Sequence, residues 1–195
     1  MEKLLNLLNS FNGRCAKNED KLIEEFEKIA RAVINGGYFL VNENAKIFVT
    51  DIEFYFHSEL DEVEIWKKDY AMYHRGPKDA VPYFPIGSVF PHNSGVDITF
   101  ENESQEYRAS FLIRSHRYVD AEETYSSDKP TYVRENMFGY ASCLSEGLNI
   151  KWIDEVSVPS DIIQDVRINV SAYDKDGELI FGVKDKRRWR FKVKK

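Results

Sequence analysis

From residue 47 to 56 the chain alternates along IFVTDIEFYF, and this period of two is the feature that most constrains the fold. Successive side chains of a strand point to opposite faces, so the pattern predicts Phe48, Ile52, Phe54 and Phe56 on one side, with Asp51, Glu53 and Tyr55 on the other. A strand with an aromatic face needs a core to bury it, and further period-two segments supply one. They lie at 96–100, 108–115, 166–173, 179–183 and 189–193.

Ahead of this body the period is helical. Leu4, Leu5, Leu7 and Leu8 make a short apolar face, and Leu22, Ile23, Phe26, Ile29, Ala30 and Val33 recur at spacings of three and four. Asn35-Gly36-Gly37 supplies the stop, because these residues tolerate left-handed backbone. After residue 47 only Thr131–Glu146 has helical spacing, through Val133, Met137, Tyr140 and Leu144. Residues 57–94 form a long aromatic and Pro/Gly-rich stretch without a period, read as an irregular loop. The reading is an α+β protein of one domain, 1–195, with a helical portion at 1–36 and a β-rich body at 45–195.

The totals agree with that size. A chain of 195 residues, 43% hydrophobic and 31% charged, buries a real core. No apolar run reaches the roughly 18 residues that span a bilayer, and the apolar start is too short for a signal peptide, so no membrane and a cytoplasmic setting are expected. Cys15 and Cys143 stand far apart in no metal spacing. His57, His74, His92 and His116 also match no ligand motif, so no metal is expected. His92-Asn93-Ser94-Gly95 reads as a hairpin turn.

Charge is distributed unevenly. Residues 184–195 (KDKRRWRFKVKK) hold eight Lys/Arg and one Asp, and subtracting that +7 from the total of −6 leaves −13 for the rest. The basic segment is either a solvated edge strand guarded against aggregation or a local phosphate contact on an acidic body.

The residues with chemical promise are Glu53 and Arg114. A carboxylate on a strand face needs partners or a raised pKa if that face is dry. Arg114 in Phe111-Leu112-Ile113-Arg114-Ser115 has the apolar flanks of a central strand, where a guanidinium must be paired. One pocket is expected to hold both, with Tyr55 and at least one of His74, Phe90 or His92 on its wall. The competing outcome is Arg114 paired with a surface acid and Glu53 solvated.

The order of segments resembles the alkylpurine (3-methyladenine) DNA glycosylase family of the mammalian alkyladenine glycosylase type. The likeness runs through Val49-Thr50-Asp51-Ile52-Glu53-Phe54-Tyr55, His74 in Tyr73-His74-Arg75-Gly76, and Leu112-Ile113-Arg114-Ser115. It continues in Arg167-Ile168-Asn169-Val170 and Trp189-Arg190-Phe191-Lys192-Val193. It implies a strongly curved antiparallel sheet, beside the two N-terminal helices and the long irregular loop read from the residues. It also implies Glu53 as the base that activates water, Tyr55 and His74 as walls of a pocket for an extruded base, and Arg114 as a holder of the water, the carboxylate or the sugar-phosphate. The partner implied is double-stranded DNA carrying a damaged purine, and no cofactor or metal is needed. Lys186, Arg187, Arg188 and Arg190 would then touch phosphates, with Arg188 and Arg190 on one face of a regular strand. The chain departs from the family where Asp97 replaces a selectivity asparagine, which alters base selection or repels DNA. The alternatives are a non-enzymatic module that binds a small ligand or a protein, and a glycosidase of free nucleosides.

Overall fold

The structure is a computed structural model that describes residues 2–61, 63–73, 81–139, 147–155 and 159–194. Two helices open it, α1 (Glu2–Ser10) and α2 (Glu19–Asn35). Asn18 starts α2 by accepting a hydrogen bond from the Lys21 amide at 3.0 Å, one of the donors a helix start leaves unsatisfied. The stripe Leu22, Phe26, Ile29, Ala30 and Val33 is fully buried. Phe26 stacks on Phe54 with ring centroids 4.3 Å apart, which fixes α2 on the aromatic face of the sheet.

The sheet is built on one long antiparallel ladder, β2 (Ala45–Ser58) against β5 (Tyr107–Val119). Each of these strands is longer than its outer neighbours, so each carries two. Along β2 lie β1 (Gly37–Val41) and then β11 (Arg190–Val193); along β5 lie β4 (Gly95–Thr99) and then β6 (Thr124–Ser127). Beyond them come β7 (Ile150–Asp154), β8 (Ile162–Asp165) and β3 (Val89–His92), giving nine strands in an open, curved, wholly antiparallel sheet. Helix α3 (Pro130–Phe138) packs against β4 and β5. The fold is α+β, as the patterning and the family likeness predict. Among the described residues no helix is long and apolar enough to cross a membrane.

Three local expectations need correction, and a fourth runs past the described residues. Phe48 does not join Ile52, Phe54 and Phe56: Ile47 and Val49 are the buried residues there, because the register shifts between Val49 and Asp51. Residues 166–170 are not strand; the segment expected at 166–173 breaks between β8 and β9 (Ser171–Tyr173), and Asn169 has a left-handed φ of 60°. The loop expected at 57–94 is shorter at both ends, since β2 runs to Ser58 and β3 begins at Val89. The helix expected to Glu146 is described to Phe138; Tyr140 and Leu144 lie outside the described residues. Apart from the main sheet, β9 and β10 (Leu179–Lys184) form a separate hairpin that leaves Phe181 93% exposed.

Candidate functional site

The polar face of β2 is dry. Glu53 is fully buried, Asp51 and Tyr55 nearly so, and Met72 and Val170 pack over Tyr55 and Leu112. Each Glu53 oxygen has one hydrogen-bond donor. The Tyr55 hydroxyl donates to Oε1 at 2.6 Å and the Ile168 amide to Oε2 at 2.8 Å. That amide is free to reach a side chain because its segment has left the sheet beside Asn169, and strained backbone of this kind clusters at functional sites. Burial raises the Glu53 carboxyl above its ordinary value, against the pull of both hydrogen bonds and of the Arg114 and Arg167 charges. Burial and the neighbouring Glu53 hold the Tyr55 hydroxyl well above its ordinary range, so it stays a donor.

Arg114 reaches Glu53 through a pair of bulges. Thr50 is the extra residue on β2 between the pairs Val49–His116 and Asp51–Ser115, and Arg114 is the extra residue on β5 between Ser115 and Ile113. A bulge re-aims a side chain that regular pleating would commit to the ladder. The Arg114 Nε stands 4.0 Å from Glu53 Oε2, and the guanidinium makes no hydrogen bond to any described residue. It lines a pocket of about 800 Å³ together with Asp51, Ser115, His116, Ile168 and Arg190. Glu53 sits behind that wall and not on it.

The other expected residues that are described, Asp97, His92 and Phe90, gather on the β3-β4 hairpin, and none of them lines this pocket. Asp97 is buried on β4, held by His92 Nε2 at 3.0 Å and the Ser110 hydroxyl at 2.9 Å. In the order β3-β4-β5-β2, Phe90 lies three strands from Glu53, roughly 14 Å at ordinary strand spacing, so it does not share a wall with it. Phe90 instead tilts against Phe84, and Tyr73 stacks on His92. His74 lies outside the described residues. His57 packs edge-on to Tyr70 and His116 pairs with Asn136, so the described histidines serve separate places. Among the described residues no three His, Cys, Asp or Glu converge as metal ligands.

The basic segment divides in two. Arg190 grips Asp51 through Nε at 2.9 Å and Nη2 at 2.5 Å, and Arg187 is held by Asp69 and Asp185. Lys186 and Arg188 stand apart from these pairs, and Arg188 precedes β11, so it does not share a regular strand face with Arg190. The interior charges Asp69, Arg167 and Asp185 carry no local signal in the sequence. Arg167 meets Asp69 at 2.5 Å and Asp185 at 2.6 Å. Burial alone would raise Asp69, but Arg167 and Arg187 outweigh it and hold the carboxyl below its ordinary value. Compared with protein-family models, curated proteins and solved structures, the chain matches none.

Proposed function

We propose that this chain hydrolyses the N-glycosidic bond of a modified purine nucleotide, with Glu53 as the base that activates water. One observation carries the reading: a buried carboxylate with a raised pKa stands directly behind an arginine that has no hydrogen bond among the described residues and lines a pocket. Perturbed groups of this kind concentrate at functional sites. An N-glycosidic bond breaks through a cationic sugar, which a fixed carboxylate stabilises while it orients water. A carboxylate has about four acceptor positions. Tyr55 and Ile168 occupy two of Glu53's, leaving others toward Arg114 for a water. A damaged purine in double-stranded DNA is the substrate that the family likeness implies. The engagement of Arg187 and Arg190 with carboxylates favours a free nucleoside or nucleotide instead. The exposed free Cys15 suits a reducing compartment, and the proposal sets the activity in the cytoplasm.

A second reading, a binding module without turnover, is favoured by the complete cover over Glu53 and by a pocket wall that includes no Phe, Tyr or Trp among the residues described. The test offers duplexes containing hypoxanthine, ethenoadenine or methylated adenine beside the free nucleosides and nucleotides. Base release that Glu53→Gln abolishes supports the hydrolase, and the form that is cleaved identifies the substrate. No release from any of them leaves the binding module.

A further inference from the structure

The pocket in front of Arg114 is rich in unused donors. Among the described residues, Arg114, the hydroxyls of Ser115 and Ser126 and the ammonium of Lys194 line it without a protein hydrogen bond. They converge from three elements: the β5 bulge, β6 and the residue that follows β11. His116, also in the lining, is fully buried and lies opposite Val49 of the core face. The Tyr125 hydroxyl donates to Asn136 Oδ1 at 2.7 Å, which turns the Asn136 amide nitrogen toward His116 Nε2 at 2.6 Å. That bond makes Nε2 the acceptor of the neutral ring and puts its proton on Nδ1, which is buried without a partner among the described residues. Of the two carboxylates in the lining, Asp51 is closed on Arg190, and Asp128, which is exposed, is the one left facing solvent.

We propose that this pocket is a phosphate subsite that receives the monoester of a free nucleotide; the nucleoside part of that ligand rests on the hydrolase reading above. A dianionic monoester brings three acceptor oxygens, which suits a guanidinium, two hydroxyls and an ammonium converging from separate elements. A volume of about 800 Å³ holds a sugar phosphate, within the range of small-molecule sites. A polyanionic duplex is disfavoured by the −6 chain, whose field opposes its approach. The site also places the sugar beside Arg114, and so beside Glu53.

Isothermal titration with AMP, adenosine, ribose 5-phosphate and a short DNA duplex tests the assignment in the intact protein. AMP and ribose 5-phosphate should bind, and adenosine should bind at least about tenfold more weakly, the scale of a lost charge-assisted contact. Arg114→Gln should weaken AMP by a similar factor. Ser126→Ala and Lys194→Ala, both at exposed positions, should weaken it less while leaving the melting temperature unchanged. Equal affinity for AMP and adenosine, phosphate-dependent binding indifferent to all three substitutions, binding of the duplex alone, or no binding would each overturn the proposal. AMP binding that depends on Arg114 without any base release would sink the hydrolase reading and leave this subsite standing. Base release without phosphate preference would do the reverse.

Discussion

The two faces of β2 are equally dry and are held by opposite means. On one, Phe54 and Phe56 beside the buried Ile52 meet Phe26 and Phe11 in ring contacts, such as the Phe26–Phe54 stack at 4.3 Å. On the other, Glu53 and Asp51 lie among buried charges that are satisfied in pairs: Arg190 with Asp51, Arg167 and Arg187 with Asp69 and Asp185, and Arg108 with Glu59 and Glu101. Dispersion and burial are spread over many contacts, so the aromatic face degrades gradually when an atom is lost. An ion-paired face fails abruptly, because removing one partner leaves a bare charge out of water. Within this charged layer Arg114 differs from the other arginines: it has no hydrogen bond among the described residues, and it lines the pocket.

The largest effect should therefore come from Arg167→Met. It strands Asp69 and Asp185, which Arg187 alone then reaches, at a cost of about 3–5 kcal/mol. Guanidinium unfolding curves measure it, and a loss under about 1 kcal/mol would erase the contrast between the faces.

Acid should expose the next effect. Burial depresses His116 from 6.5 to about 4. The neutral ring thus contributes stability in full above 6.5 and loses it as the pH falls toward 4, about 3 kcal/mol in all. Asp69 and Asp185, held low by Arg167 and Arg187, contribute stability that is present above the ordinary carboxylate value and lost only as the pH falls below it. Unfolding free energies of the parent and of His116→Gln between pH 7 and 4 should diverge at the upper end and converge at the lower. Parallel curves would show that the imidazole does not titrate with unfolding.

How much of this is legible in the sequence follows from how each face is built. The aromatic face repeats a local rule, so α2 and most of β2 are readable from spacing alone. The stop at Asn35-Gly36-Gly37 falls where expected, but Gly36 keeps a right-handed φ of −105° and is needed for its close approach to the Ala32 carbonyl, not for left-handed backbone. Glu53 and Arg114 are readable as polar residues on apolar strands, and the structure brings them within 4.0 Å. The rest is not local. Period two presumes an unbroken ladder, and the bulges at Thr50 and Arg114 break it, which is why simple alternation puts Phe48 on the wrong face. Arg167 finds Asp69 across 98 residues of sequence, and Asp69 sits in an irregular segment with no pattern around it. The subsite donor Ser126 belongs to β6, a four-residue strand too short for alternation to mark.

A smaller loss is expected on the aromatic face from Ile52→Val, next to Glu53 in sequence and opposite to it in space. One methylene of a fully buried side chain is worth about 0.5–1.5 kcal/mol, and the neighbouring rings can close part of the gap. Thermal unfolding resolves a change of that size. A loss equal to that of Arg167→Met would mean that the aromatic face is as brittle as the charged one.

The smallest effect should be at Glu53 itself. A carboxyl raised above its unfolded value contributes its stability at low pH and loses it as the pH rises through the folded value, so wherever Glu53 is ionised its charge is a burden on the fold. Glu53→Gln removes that charge and can keep both contacts. The new amide oxygen can accept from the Ile168 amide, and the new NH₂ can donate to the Tyr55 hydroxyl, which turns to accept. At pH 7 the variant should lie within about 1 kcal/mol of the parent, and it should lack whatever stability the parent gains as the pH is lowered through the Glu53 titration. Chemical denaturation at pH 7 and in a descending pH series gives both numbers. A Glu53→Gln variant that folds but releases no base would assign the loss to chemistry. A variant as damaged as Arg167→Met would make Glu53 one more structural member of the charged layer, and the case for it as a base would fall.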